Sequence, residues 1–353
     1  MTMKIESSTY PSSLGDITVF RIENASGAFV ELSTLGAGIL SVNVPDRNGK
    51  IGNVALRYAN PVDYYADDAC MGKSPGRYAN RIAGGHLTIG GKTYNLEINA
   101  APNSIHGGPT GFQNRIWDAM LLADGVRMTY HSEDMEESFP GALDVSATFG
   151  WNEKNELSLD FRAVCDADTV VNLTNHAYWN LRGADSGTVL DHILKIKAGK
   201  WLPIDATHIP TGEIEDVDGT PMDFRVPKKI GRDINSDFPP LNIGGGYGQC
   251  WVFDDWQPGK FQENLVELRD ECSGRILIMG SDQPGAQVYT ANRVTDTPLN
   301  CSGRSYGPQE GIAIEMQHFP DSPNKPNFPA TFLPAGEIYE NHIVWHFSLL
   351  KYS

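Results

Sequence analysis

Leu157-Ser-Leu-Asp-Phe-Arg-Ala163 is the stretch that decides the fold class. Leu157, Leu159 and Phe161 alternate with Ser158, Asp160 and Arg162, the period of a strand with one face in a core and one in water. His342-Ile-Val-Trp-His-Phe-Ser348 repeats the pattern, with Ile343, Trp345 and Phe347 inward. Shorter runs of the same kind cover residues 17–22, 126–130, 143–149, 265–268, 275–279, 286–290 and 312–315. No segment keeps a helical period over about 12 residues. The best helical candidate is short, over 61–68, with Pro61 at a first-turn position. Many short strands between turn residues predict an all-β sandwich or barrel. The 36 glycines and 22 prolines are spread along the chain and no repeat has a fixed period, so residues 1–353 are read as one large domain.

The chain is long enough, at 353 residues, to bury a large core. Against 28 Lys and Arg stand 44 Asp and Glu, a formal charge of −16. That excess of acid argues against nucleic acid and anionic membrane surfaces as partners. No apolar run follows Met1-Thr-Met-Lys-Ile-Glu6, and none approaches the roughly 20 residues of a membrane helix. Five scattered cysteines with no Cys-x-x-Cys pair read as thiols of a reducing cytoplasm.

Three polar segments carry the chemistry: Asn103-Ser-Ile-His106-Gly-Gly108, Asn172-Leu-Thr-Asn-His176-Ala-Tyr-Trp-Asn180, and Ile314-Glu315-Met-Gln317. Two histidines and a glutamate suit proton transfer near neutral pH. Each has a bland alternative. His106 reads equally as a turn residue and His176 as a core histidine beside core aromatics. Glu315 is the strongest signal, because a carboxylate ending the apolar run Gly311-Ile-Ala-Ile314 is costly to bury unless paired or working. By alternation it shares a face with Ala313. Arg77 and Arg81, in Gly76-Arg-Tyr-Ala-Asn80-Arg-Ile-Ala-Gly-Gly85, either donate to sugar hydroxyls or brace a loop carboxylate. No metal set emerges: His342 and His346 on one strand would stand about 13 Å apart. The glycines at 244–246 precede no helix signal and make no phosphate cradle.

Taken together these segments resemble the aldose 1-epimerase (galactose mutarotase) family. The likeness runs from Leu35-Gly-Ala-Gly38 and Val44-Pro-Asp-Arg-Asn-Gly-Lys50 through the Gly76–Gly85 and Asn103–Gly108 segments. It continues through Thr174-Asn-His176-Ala-Tyr-Trp-Asn180-Leu181, Gly219-Thr-Pro-Met-Asp-Phe-Arg225, Asp282-Gln-Pro-Gly-Ala-Gln-Val-Tyr-Thr290 and Glu315-Met-Gln-His-Phe-Pro-Asp-Ser-Pro-Asn324. The resemblance implies a large antiparallel β-sandwich of the galactose mutarotase-like supersandwich type, with the sugar in an open cleft. It implies Glu315 as general base, His176 as general acid, and His106, Arg77 and Asn80 as sugar-binding residues. The substrate would be a free monosaccharide and the chain a monomer or homodimer, with no cofactor or metal. The reaction needs neither. A base takes the C1 hydroxyl proton, an acid protonates the ring oxygen, the ring opens, C1–C2 rotates, and closure gives the other anomer. Attraction between carboxylate and imidazolium is expected to raise the histidine pKa.

One departure is visible. Where the family has Tyr-Asp-His, this chain reads Tyr247-Gly248-Gln249. Gly248 has no side chain to hold a hydroxyl, and Gln249 is expected to substitute as a neutral sugar contact. An altered sugar preference follows. Two other readings stay open: a non-catalytic sugar binder on the same fold, and a lyase or hydrolase. Hydrolysis would want a second carboxylate, for which only Asp254, Asp255 and Asp321 offer themselves.

Overall fold

Alternation along Glu156–Cys165 is the pattern the structure builds on: Leu157, Leu159, Phe161, Ala163 and Cys165 are all buried, and Asp160 and Arg162 are exposed. The computed structural model describes residues 3–65 and 67–350. This strand pairs antiparallel with Leu143–Trp151 on one side and Ile338–Leu349 on the other. They form the middle of a nine-stranded sheet running from Asp118–Leu121 at one edge to Lys228–Lys229 at the other. Its inner face, including Ile343, Trp345 and Phe347, joins the main hydrophobic core. His342 and His346 stand on the outer face, where His342 meets Asp160.

A six-stranded sheet holds the chemistry. Its order is Tyr178–Trp179, Ile312–Gln317, Gly285–Tyr289, Gly248–Val252, Lys200–Leu202, Glu215–Asp216. Ile312–Gln317 is buried on both faces, which is why its sequence is nearly all apolar. Ile312, Ile314 and Met316 face the main core, while Ala313 packs in a second cluster with Tyr178. A five-stranded meander, Lys4–Ser12 to Ile51–Asn53, adds Phe20, Ile22, Val30 and Leu32 to the main core. All strand pairs of these three sheets are antiparallel, so the predicted all-β sandwich is what forms.

Every sequence-predicted strand is present, most longer by one or two residues at an end. The predicted helix over 61–68 shrinks to one 3-10 turn, Pro61–Tyr64, capped by the Asn60 side chain accepting from Val62 N. Residue 66 lies outside the described residues. The turn stops where Asp67 takes over the local backbone donors, accepting from Ala69 N at 2.9 Å and Met71 N at 3.1 Å. The short helix Pro239–Gly244 carries no periodic signal in its sequence and lies outside every predicted element.

Candidate active site

Strand register brings the key carboxylate into a cavity. Glu315 lies opposite Gln287 across the strand pair, and Tyr289, two residues on, lies opposite Gly248. These four therefore share the face away from the main core, and all line a cavity of about 630 Å³. Glu315 is only 2 % exposed, and its Oε2 has no protein partner.

His176 arrives from the loop before Tyr178. Its backbone is clamped in both directions, donating to Lys73 O at 2.8 Å and accepting from Gly72 N at 3.0 Å. The neighbouring Asn175 side chain donates to Gly72 O, fixing the same two loops together. The ring lies 4.9 Å from Tyr178 and 5.4 Å from His106, centroid to centroid. The Nε2 of His176 stands 3.5 Å from Glu315 Oε1, and its Nδ1 has no protein partner. His106 adopts a left-handed backbone, φ 54°, that turns its ring inward. Its Nδ1 accepts from Asn80 N at 3.2 Å, which leaves the Nε2 side as donor. Gly107 must follow, since a Cβ there would stand 2.1 Å from Gly76 O.

Burial opposes charge on both Glu315 and His176. It pushes Glu315 up to about 8, partly offset by the positive charge of Arg81. It draws His176 down to about 4, with Asp67 pulling upward and Lys73 downward. The expectation of a raised histidine pKa is therefore corrected: desolvation outweighs the upward pulls, and Asp67 rather than Glu315 supplies the opposing charge. With these shifts, about 4 and about 8, the pair holds one proton between them near neutral pH. His106 is also driven well below its ordinary value, by burial and then by His176. It stays neutral.

Two expected sugar contacts point elsewhere. The Arg77 guanidinium turns away from the cavity and donates to Pro140 O at 2.8 Å, Gly141 O at 2.9 Å and Ser132 Oγ at 2.7 Å. It is a brace, and the arginines on the cavity wall are Arg81 and Arg293. Gln249 is wholly buried, with Oε1 accepting from Gly248 N and Nε2 donating to Pro240 O, both at 2.8 Å. It follows a cavity-facing residue on a strand, so its own side chain must point to the other face. Asn80 lines the cavity as expected. So do residues that sequence reasoning missed: Gln287, Tyr289, Asp67 and Tyr58. Gln287 lies within the quoted Asp282–Thr290 segment, and only strand pairing singles it out. Asp321 is held by Ala83 N, Asn324 and Lys325, so Glu315 gains no second carboxylate from it.

A wider hollow of about 990 Å³ lies on the outer face of the nine-stranded sheet. Its histidines pair with exposed carboxylates, His131 with Asp144 and His342 with Asp160. Among the described residues no group of His, Cys, Asp or Glu is arranged to hold a metal ion.

The aldose 1-epimerase family model matches residues 18–346. Galactose mutarotase of Mus musculus is 38 % identical over 335 residues, 95 % of each chain. Aldose 1-epimerase of Escherichia coli K12 is 34 % identical over 329 residues, 92 % of this chain and 94 % of its own. Among solved structures, galactose 1-epimerase from Lactobacillus acidophilus superposes with a TM-score of 0.85 at 25 % identity, covering 99 % of both chains. An aldose epimerase homologue from C. elegans gives 0.83 at 28 % identity, covering 98 % of this chain and all of its own.

Proposed function

Since this chain belongs to the aldose 1-epimerase family, we propose that Glu315 and His176 are the proton-transfer pair with which it interconverts sugar anomers. The chain is an isomerase, a mutarotase of a free reducing sugar. The observation that carries the site assignment is a carboxylate and an imidazole 3.5 Å apart, both buried, at the floor of a sugar-sized cavity.

The step follows from that geometry. Binding displaces water and brings the sugar's C1 hydroxyl and ring oxygen against the Glu315 carboxylate and the His176 Nε2 that faces it. With the pair's one proton on the imidazole, Glu315 accepts the C1 hydroxyl proton while His176 delivers its own to the ring oxygen. The C1–O5 bond breaks, leaving the open aldehyde, a carboxylic acid and a neutral imidazole. Rotation about C1–C2 turns the other carbonyl face toward the C5 hydroxyl. Closure runs the transfers backward and restores the pair. Arg81 favours the ionised carboxylate at the start, and Asp67 favours the charged imidazole. His106 and Asn80 orient the sugar, with Arg81 and Gln287 in place of Arg77 and Gln249.

Galactose is the first sugar to test, because relatives carrying its name match nearly end to end. A cytoplasmic site of action is favoured by five free cysteines, and one domain by a main core drawing on residues from Phe20 to Phe347. A monomer or homodimer acting on a monosaccharide, apart from nucleic acid and membranes, completes the reading. Polarimetry or exchange NMR on fresh α-D-galactose and α-D-glucose at low buffer concentration tests it, beside His176→Asn. Acceleration lost in the variant supports the assignment. A folded wild type that accelerates no reducing sugar removes it and favours a sugar-binding protein.

A further inference from the structure

The wall at Gly248 is open, and it belongs to a cavity lined by two arginines. A Cβ built on Gly248 meets only Tyr289 Cδ2, at 3.7 Å. The backbone there is ordinary strand, so nothing in the conformation demands glycine. The family resemblance places an aspartate at this position, and its loss removes both volume and negative charge.

Two arginines, Arg293 and Arg81, line the same cavity, and His208 beside them is drawn down to about 4 by burial and by both arginines, so it is neutral. The Arg293 backbone N–H donates to the Tyr289 hydroxyl at 2.9 Å, and its guanidinium donates to Ile243 O at 3.3 Å, in the short helix Pro239–Gly244 that precedes Gly248. Arg81 and His208 both lie within the field of Arg293, and His208 within that of Arg81. Neither arginine has a carboxylate within ion-pair distance among the described residues. The cavity does contain acids, but they are otherwise engaged or outward. Asp67 is saturated by Lys73, Tyr58 and two backbone donors. Asp68 and Asp296 are exposed, Asp63 lies on the Pro61–Tyr64 turn, and Glu315 is the reacting group.

Resting on the mutarotase reading, we propose that the cavity selects a reducing sugar that carries an anionic substituent, a carboxylate or a phosphate. That group occupies the space beside Gly248 and is met by the guanidiniums of Arg293 and Arg81. The substrate supplies the charge that the chain lacks at this position, and plain hexoses leave the two arginines without an anionic ligand group to meet.

The test compares anomer exchange, after subtraction of the spontaneous rate, on D-galactose, N-acetyl-D-galactosamine, D-galacturonate, N-acetylneuraminate and D-galactose 6-phosphate. An anionic sugar should exceed D-galactose in kcat/KM by about tenfold or more, the worth of a charge-assisted hydrogen bond. Both Gly248→Asp, which restores a carboxylate, and Arg293→Gln should cut that ratio by about tenfold, and added salt should shrink it. Preference among the acids or for the phosphate identifies the substituent. A preference for N-acetylgalactosamine alone would show that space, not charge, is selected, and would overturn the proposal. So would no preference over galactose. If no sugar is exchanged, the mutarotase reading fails. Calorimetric binding of the same five sugars then decides the anion site by itself, tighter binding of an anionic sugar upholding it and equal binding refuting it.

Discussion

Glu315→Gln should stabilise the protein at alkaline pH while abolishing its catalysis. The wild-type carboxyl is pushed up to about 8 from an ordinary 4.5. Between those two values the folded chain holds a proton that the unfolded chain has released. Stability therefore falls as pH rises through that window. Each pH unit of the gap is worth about 1.36 kcal/mol, so ionised Glu315 costs the fold up to about 5 kcal/mol above pH 8. Water in the open cavity relieves part of this, leaving about 2–4 kcal/mol. Glutamine has the same shape and cannot ionise. The contribution of His176 runs the other way, present above its ordinary 6.5 and lost as pH falls toward about 4, and it is common to both proteins. Urea denaturation of wild type and variant at pH 4.5, 7 and 9 should give curves that coincide in acid and diverge in base, the variant being more stable. Anomer exchange should fall about 10³-fold at every pH. Parallel stability across the whole range would refute the reasoning, because it would mean that Glu315 carries no desolvation cost in the fold.

Three further outcomes rest on the same geometry. The kcat/KM for anomer exchange should be flat between about 4 and about 8, falling below when His176 and Glu315 both hold protons and above when neither does; a narrow maximum near 6.5 would argue for an exposed, unperturbed histidine instead. Arg77→Gln should lower stability by about 3 kcal/mol, read as a fall in Tm, because it leaves the Pro140 and Gly141 carbonyls unpaired, with KM of the folded fraction unmoved. Arg81→Gln should do the reverse, raising KM about tenfold at nearly unchanged Tm.

What the sequence disclosed depended on whether the residue sat in a regular element. Glu315 is legible because an acid inside Ile312–Gln317 breaks an apolar strand, and alternation with Ala313 is enough to fix its face. The same rule explains the nine-stranded sheet, whose long strands bury one face and wet the other. His106 and His176 sit in loops, where no period exists. Their convergence depends on backbone bonds between segments about 100 residues apart in the chain, such as His176 N to Lys73 O. Arg77 and Arg81 show the limit more sharply. Four residues apart in the chain, with the same charge, one is consumed by carbonyls at 140–141 and the other lines the cavity. Those carbonyls come from a segment that local sequence cannot connect to residue 77.

Gln249 is a different kind of miss, since the information was present. Gly248–Val252 is a strand, and neighbours on a strand face opposite ways. If position 248 faces the sugar, as the resemblance to an aspartate-bearing family required, then Gln249 must face the other side. There it reaches the Pro240 carbonyl, closing the turn over the short helix Pro239–Gly244. No adjacent residue is able to take over the work of a missing side chain on a strand. The gap at Gly248 can be filled only from across the cavity or by the ligand. The two cations of the cavity wall, Arg81 and Arg293, have no carboxylate within ion-pair distance among the described residues, and an anionic group on the sugar is what would meet them.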